Sequence, residues 1–325
     1  MRYACVAIVL AFAAQVAPAA APAAGSDAVR VARWKDNKQA PFYLAFDDSC
    51  PSHIKNVVPE LAKRGLVGTF YITPGKQPYN KEAWEKTIPA SGAAVYGNHT
   101  FTHWGARDVA HLDEELTKAG EVIARCFPNL KTPRLISFGR PGVPKGQWNV
   151  TPEEVKTLLA KHHLVDRAPF WGAAIHVKTG ADMAGLVDKA LAKGAMGHLD
   201  FHGVGGDWLA ATMPDFLTLL DKLVACRDRV WVTDPVSIHQ YETERDGAEV
   251  KVLESGPKSL RVSLTCKADP KFYDLPLTLV AKVPAGWAKC RVTQGARQAD
   301  ATAADGQIVF DAVPGAEEVV VAPAK

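Results

Sequence analysis

The stretch Tyr43–Cys50 reads YLAFDDSC: an apolar run fit for a protein core, ended abruptly by two adjacent carboxylates, Asp47 and Asp48. Outward from it, apolar runs alternate with amphipathic stretches from about residue 40 to 241. Strands are expected at 42–46, 68–72, 93–96, 135–138, 164–168, 173–177, 196–202 and 230–233, and helices at 54–64, 109–126, 153–161, 183–192 and 214–225. Such alternation argues for a parallel sheet with crossover helices, and so many repeats favour a closed or nearly closed (β/α) barrel over an open doubly wound sheet. From Asp246 onward no helical period remains. Short β-rich runs separated by Gly, Pro and Asp turns point to a small β-sandwich over 246–325. Its expected role is structural, beside a barrel at 38–245, with glycan binding as the alternative.

At 325 residues, 47% hydrophobic and 22% charged, the chain suffices for one large domain and a small one. The net charge of +3 is made of scattered charges of both signs, with no basic cluster interleaved with aromatics, so nucleic acid is not an expected partner. Nothing implies a protein partner. The opening MRYACVAIVLAFAAQVAPAAAPAAG has Arg2, an apolar stretch, then small Ala/Pro residues around Ala19–Ala24, and reads as a secretory signal over 1–24. That stretch is short for a membrane span, no later segment offers ~20 apolar residues, and Cys5 follows no lipobox. The mature chain is expected to be soluble and exported, periplasmic or extracellular. Cys50, Cys126, Cys226, Cys266 and Cys290 then remain, an odd number in a disulfide-permissive compartment. Cys266 with Cys290 is the first expectation and Cys126 with Cys226 the second, but sequence alone fixes neither.

Functional groups of parallel barrels collect at the C-terminal ends of the strands. Asp47 and Asp48 follow the first strand, His99 and His103 the third in YGNHTFTH, and Arg140 the fourth in SFGRPGVP; Asp166 closes the fifth and His202 ends HLDFHGVG. A His-x-x-x-His spacing brings two imidazoles to one side of a turn, and a carboxylate from another strand end completes a face suited to a catalytic divalent ion. Adjacent side chains at a strand end leave the backbone on opposite sides, so one aspartate suits the metal and its neighbour the water beside it. An isolated Asp-Asp pair would instead read as a cap before the helix at Ile54. The surrounding groups favour chemistry. His198, Asp200 and His202 share a strand face, with His198 the rival to His202 as acid and placed deeper, as a hydrogen-bonded core residue.

The phrases AFDDS, GNHTFTH, GRPGVP, VDRAPFW and HLDFHG, in this order over about 40–240, resemble the five motifs of the polysaccharide deacetylase superfamily, the NodB-homology enzymes of carbohydrate esterase family 4. The resemblance implies a distorted (β/α)7-type barrel and metal-dependent hydrolysis of acetyl groups from a carbohydrate. Carried over by position, Asp47 is the base and Asp48, His99 and His103 hold the metal, expected to be zinc with other transition metals also suited. Arg140 orients the base, His202 is the acid and Asp166 tunes it. Trp171 lines the site, Trp208 lies near its rim, and the backbone N–H of Val143 is the candidate oxyanion donor. The chain departs from the family at Ser49-Cys50, where a Gly is usual, in Arg140-Pro141-Gly142-Val143, and at Asp200 before the last His. These departures leave hydrolysis of other or cyclic amides, or glycan binding without turnover, as alternatives.

Overall fold

The computed structural model describes residues 28–324, and the expected signal segment lies outside them. Its first strand, β1 (Val29–Val31), is followed by β2 (Ala40–Asp47), which is buried at every position. A π-helical turn, His53–Val57, runs into α1 (Val58–Arg64) and β3 (Gly68–Ile72). A second such turn, Ala83–Thr87, and α2 (Ile88–Ala90) lead to β4 (Ala94–Asn98). The alternation continues through α3 (Val109–Cys126), β5 (Ile136–Phe138), α4 (Pro152–Lys161), β6 (Leu164–Asp166), α5 (Gly180–Lys193), β7 (Gly197–Phe201), α6 (Met213–Ala225), β8 (Val230–Thr233) and α7 (Pro235–Gly247). Side-chain caps start the long helices: Asp108, Thr151, Thr179, Thr212 and Asp234 each accept a first-turn N–H, and Thr151 with Glu154 closes a full capping box. No helix among the described residues is long and apolar enough to cross a membrane.

The barrel sheet has seven strands, in the order β6-β5-β4-β3-β2-β7 with β8 also on β2, and all its pairs are parallel. Because β7 pairs along 42–46 and overlaps both other partners, β8 at 40–43 and β3 at 45–47 share the opposite edge of β2. Beyond β6 the chain crosses to the other end of the sheet, where a bridge between Gly172 and Asp200 narrows the gap in the curled wall. Burial on both faces is what a parallel strand between layers requires. The even residues Phe42, Leu44 and Phe46 pack outward with Leu61, Val187, Phe216 and Leu220, each large side chain contributing roughly 1.5–3 kcal/mol. The odd residues Tyr43 and Ala45 point the other way, with Tyr71.

The remaining strands form two antiparallel sheets. β9 (Ala248–Ser255), β10 (Leu260–Cys266), β12 (Lys289–Gln294), β13 (Arg297–Thr302) and β15 (Val319–Pro323) make one; β11 (Leu277–Lys282), β14 (Gln307–Ala312) and β1 make the other. The strand β1 comes from outside the 246–325 range expected for this sandwich. Its core runs without a break into the barrel's inner residues through Trp34, Ile238 and Tyr241.

Three further expectations change. Residues 173–177 form no strand: Ala173 bridges Val177 across a tight loop in which Ala174 has φ 65°. Helix α7 was not expected, because both its faces are covered and it lacks an amphipathic stripe. All five described cysteines are free thiols; Cys266 and Cys290 lie on β10 and β12, with β15 between them.

Candidate active site

Strand parity decides which groups meet inside the barrel. Asp47 is in register with Tyr71, whose hydroxyl hydrogen-bonds the hydroxyl of Ser137, so odd residues of β2, β3 and β5 face inward. Tyr43 pairs with His198 and Ala45 with Asp200, which puts His198, Asp200 and then His202 on that same face. On β6, Asp166 is in register with Phe138, which packs outward against Leu116 and Leu158. The inward residue at this strand end is therefore Arg167, one position later.

The Arg167 guanidinium forks onto Asp47, with Nη1 to Oδ1 at 2.6 Å and Nη2 to Oδ2 at 2.7 Å, and Nη1 also lies 3.2 Å from Asp200 Oδ1. It covers the Tyr71 ring at 4.3 Å. Burial works to raise the Asp47 carboxyl, but the Arg167 charge, with His99 and His202, holds it below the usual carboxylate range. Asp200, fully buried, goes the other way: burial pushes it up to about 7 despite Arg167. Its Oδ2 accepts the Trp171 N–H at 2.6 Å, fastening the loop after β6 to β7.

Asp48, His99 and His103 each offer a ligand atom within 4.8 Å of the others. Asp48 Oδ1 is 2.9 Å from His103 Nε2 and 3.4 Å from His99 Nε2, yet it is buried without a well-directed donor. His99 gives its Nδ1 proton to the carbonyl of Gly139 at 2.6 Å, which leaves the Nε2 lone pair facing Asp48. Two imidazole nitrogens and a carboxylate turned on one point fit a divalent cation. Asp48 sits in the left-handed region with Ser49, at φ 73° and 52°, and Thr100 and His103 do the same in the facing loop, at 63° and 64°. Such conformations cost about 1–3 kcal/mol each and persist where surroundings enforce them. Here the Ser49 hydroxyl accepts the Thr73 N–H, and Glu115 of α3 accepts both the N–H and the hydroxyl of Thr102. At Gly105, φ 92°, a Cβ would meet the Gln147 carbonyl at 2.0 Å, so only glycine lets the loops after β4 and β5 close on each other. The Cys50 thiol donates to the Asp47 carbonyl, and burial, with Asp48 nearby, pushes it up to about 12: a packed thiol, not a ligand.

His202 is 9% exposed, and its Nδ1 has no protein partner. Burial pulls it below its usual value, against the opposing pull of Asp47 and Asp48. Its carbonyl accepts from Nε2 of His53 at 2.5 Å; His53 is itself wholly buried and pulled down to about 4 by that burial. His53 belongs to none of the motifs, yet it fixes the backbone of the proposed acid. His198 stacks on Tyr43 and reaches the Pro169 carbonyl, with its Nε2 3.6 Å from Asp200 Oδ2. Trp208, half exposed, donates from Nε1 to Asp48 Oδ2 at 3.2 Å and lies edge-on to His202; the Lys76 ammonium is also 3.2 Å from that oxygen. Trp171 is 45% exposed and stacked on His176. Val143 is half-buried in the loop leaving β5.

Two expected members lie elsewhere. Arg140 does not orient Asp47: it has the outward parity of Phe138, is exposed, and lays its guanidinium over Trp148 at 4.6 Å. Asp166 does not reach His202, and with Arg140 it lines a separate cavity. Arg167, in the same phrase VDRAPFW, and Asp200 take the inner positions. Strand alternation already put Asp200 on the face of His202, whereas Arg167 is placed only by the register of the sheet from β2 to β6.

Residues 35–159 match the sequence profile of a family described as polysaccharide deacetylase. A gellan lyase from a Bacillus species is 24% identical over 90% of this chain, and the chain spans only 13% of that relative's length. Among solved structures, a family 4 carbohydrate esterase from Streptomyces lividans, in complex with acetate, is 14% identical, covering 61% of this chain and 93% of its own at a TM-score of 0.43. A family 4 esterase from Streptococcus mutans is 18% identical over 60% of this chain and 85% of its own, at 0.42. A peptidoglycan deacetylase from Bacillus subtilis is 16% identical over 61% and 89%, at 0.41.

Proposed function

We propose, from the match of residues 35–159 to the polysaccharide deacetylase profile, that the protein is a hydrolase that removes O- or N-linked acetyl groups from a carbohydrate with the aid of a divalent ion at Asp48, His99 and His103. The observation that carries this reading is the buried Asp48 Oδ1 facing two imidazole nitrogens, one step along the chain from a second carboxylate clamped by arginine. An ion held there, zinc being well suited to two nitrogens and one carboxylate, would supply Lewis acidity and a water acidified towards neutral pH. Asp47, kept ionised and in place by the Arg167 fork, takes the proton from the attacking water through a lone pair that the fork leaves free. His202, held by His53 through its backbone, gives a proton to the departing sugar oxygen or nitrogen. The backbone N–H of Val143 is the proposed further donor to the oxyanion. Trp171 and Trp208 present flat exposed faces to sugar rings. The segment 1–24 supports export, so the substrate would be met outside the cytoplasm.

The test separates the adjacent carboxylates. Asp48→Ala is expected to lose bound metal and activity together, whereas Asp47→Asn keeps the metal and loses turnover by about 10²-fold or more. Equal metal loss in both variants would overturn the division of roles.

A further inference from the structure

Arg140, displaced from the role its motif position implied, belongs to a cavity of about 950 Å³ between α4, the free side of β6 and the loop joining β10 to β11. The volume is at the upper end of the range of small-molecule sites, roughly 300–1,000 Å³. Its walls are Trp148 beside Arg140 and, from the sandwich, Phe272 and Tyr273; Lys156 and Asp166 bring charge. The Arg140 guanidinium is held flat by stacking on Trp148 but has no hydrogen-bonded or ion-paired acceptor among the described residues, and the ammonium of Lys156 has none either. An ordered guanidinium without an acceptor presents a planar fork that matches a carboxylate. Asp166, opposite in sign and likewise without a side-chain partner, adds a group that meets hydroxyls and disfavours a multiply charged phosphate. Arg140 follows Gly139, whose carbonyl holds His99, and Asp166 precedes Arg167, which holds Asp47. The cavity thus lies on the outer face of the same two strand ends whose adjacent residues, Gly139 and Arg167, support the proposed catalytic centre from the inner face.

We propose that this cavity is a subsite for an acidic stretch of polysaccharide, taking the carboxylate of a uronic acid unit on Arg140 and Lys156 and its ring against the aromatic wall. The proposal rests on the deacetylase reading for its choice of a saccharide, and names that saccharide as anionic. The sandwich, by lending Phe272 and Tyr273, would then help to hold the substrate.

Binding of an acetyl-free hexuronic acid tetramer to the full chain, measured by calorimetry after chelator treatment, tests the subsite without turnover. The expected result is at least tenfold weaker binding of the same tetramer with its carboxyl groups reduced to alcohols, a preference that is lost in Arg140→Ala and partly kept in Arg140→Lys. Equal binding of the two tetramers by the native chain, or a preference that survives in a folded Arg140→Ala, would overturn it. Acetate release from a neutral acetylated oligosaccharide, measured separately, tells the two failures apart: release without uronate preference removes the subsite alone, and uronate preference without any release removes the deacetylase reading alone.

Discussion

Asp47 and Asp48 are neighbours in sequence with opposite surroundings: one is gripped by a guanidinium, the other faces two imidazoles. Replacing Arg167 tests the first. With the guanidinium gone, only His99 and His202 oppose the effect of burial on Asp47 and its carboxyl rises, so the proposed base ionises only at higher pH. Arg167→Lys is expected to move the acidic limb of the pH–rate profile upward and to lower kcat, with metal content unchanged. Arg167→Ala also leaves Asp47 and Asp200 as uncompensated buried carboxylates and is expected to cost about 3–5 kcal/mol of stability. An acidic limb that stays put would remove Arg167 from the mechanism. At this scale the candidate ligand cluster was legible, because His-x-x-x-His and a carboxylate at a strand end carry their chemistry in their spacing. Arg167 was not, because Asp166 and Arg167 are both titratable and only the register carried over five strands, β2 to β6, shows which points inward.

The elements that hold these residues are loops under strain, tied down from behind. Glu115 on α3 anchors the turn carrying His99 and His103, and Glu115→Ala is expected to destabilise the fold by about 1–3 kcal/mol and to weaken metal binding, both measurable by titration and melting. Helix α7 offers a pH-dependent case. Glu244, 1% exposed, accepts the Leu275 N–H, and burial pushes its carboxyl from an ordinary 4.5 up to about 7. The unfolded chain then loses this proton at lower pH than the folded one, so the protein is most stable below pH 4.5 with respect to this group and loses stability as pH rises through 7. Glu244→Gln is expected to gain about 1–3 kcal/mol at pH 8 and nothing at pH 4; a gain independent of pH would contradict this account. The long amphipathic helices and the apolar strands could be read from period alone. Helix α7 and the loop at 173–177 could not, since the first is covered on both faces and the second is apolar without being a strand.

Across the molecule, barrel and sandwich share one buried layer. Tyr43, Ala45 and Tyr71 from the barrel, Ile238 and Tyr241 from α7, and Leu279 and Phe310 from the sandwich belong to a single core, and β1 is supplied from the start of the described chain. The two parts are therefore expected to unfold together: a single thermal transition in the full chain, and no cooperative transition in a chain truncated after Gly247. Sequence marked the change of character near residue 246 but not this shared core, because pairing between β1 and β11 joins segments far apart and leaves no local signal. The free cysteines fit the same picture, since the sandwich is closed by packing and strand pairing rather than by covalent links.

Hydrolysis is expected to depend on a metal held by Asp48, His99 and His103. Acetate release from acetylated oligosaccharides, followed through chelation and stepwise return of zinc, tests it most directly. The expected result is loss of release on stripping and recovery that saturates at one zinc per chain, with neither binding nor recovery in Asp48→Ala. Release that continues at its full rate in metal-stripped protein would contradict it.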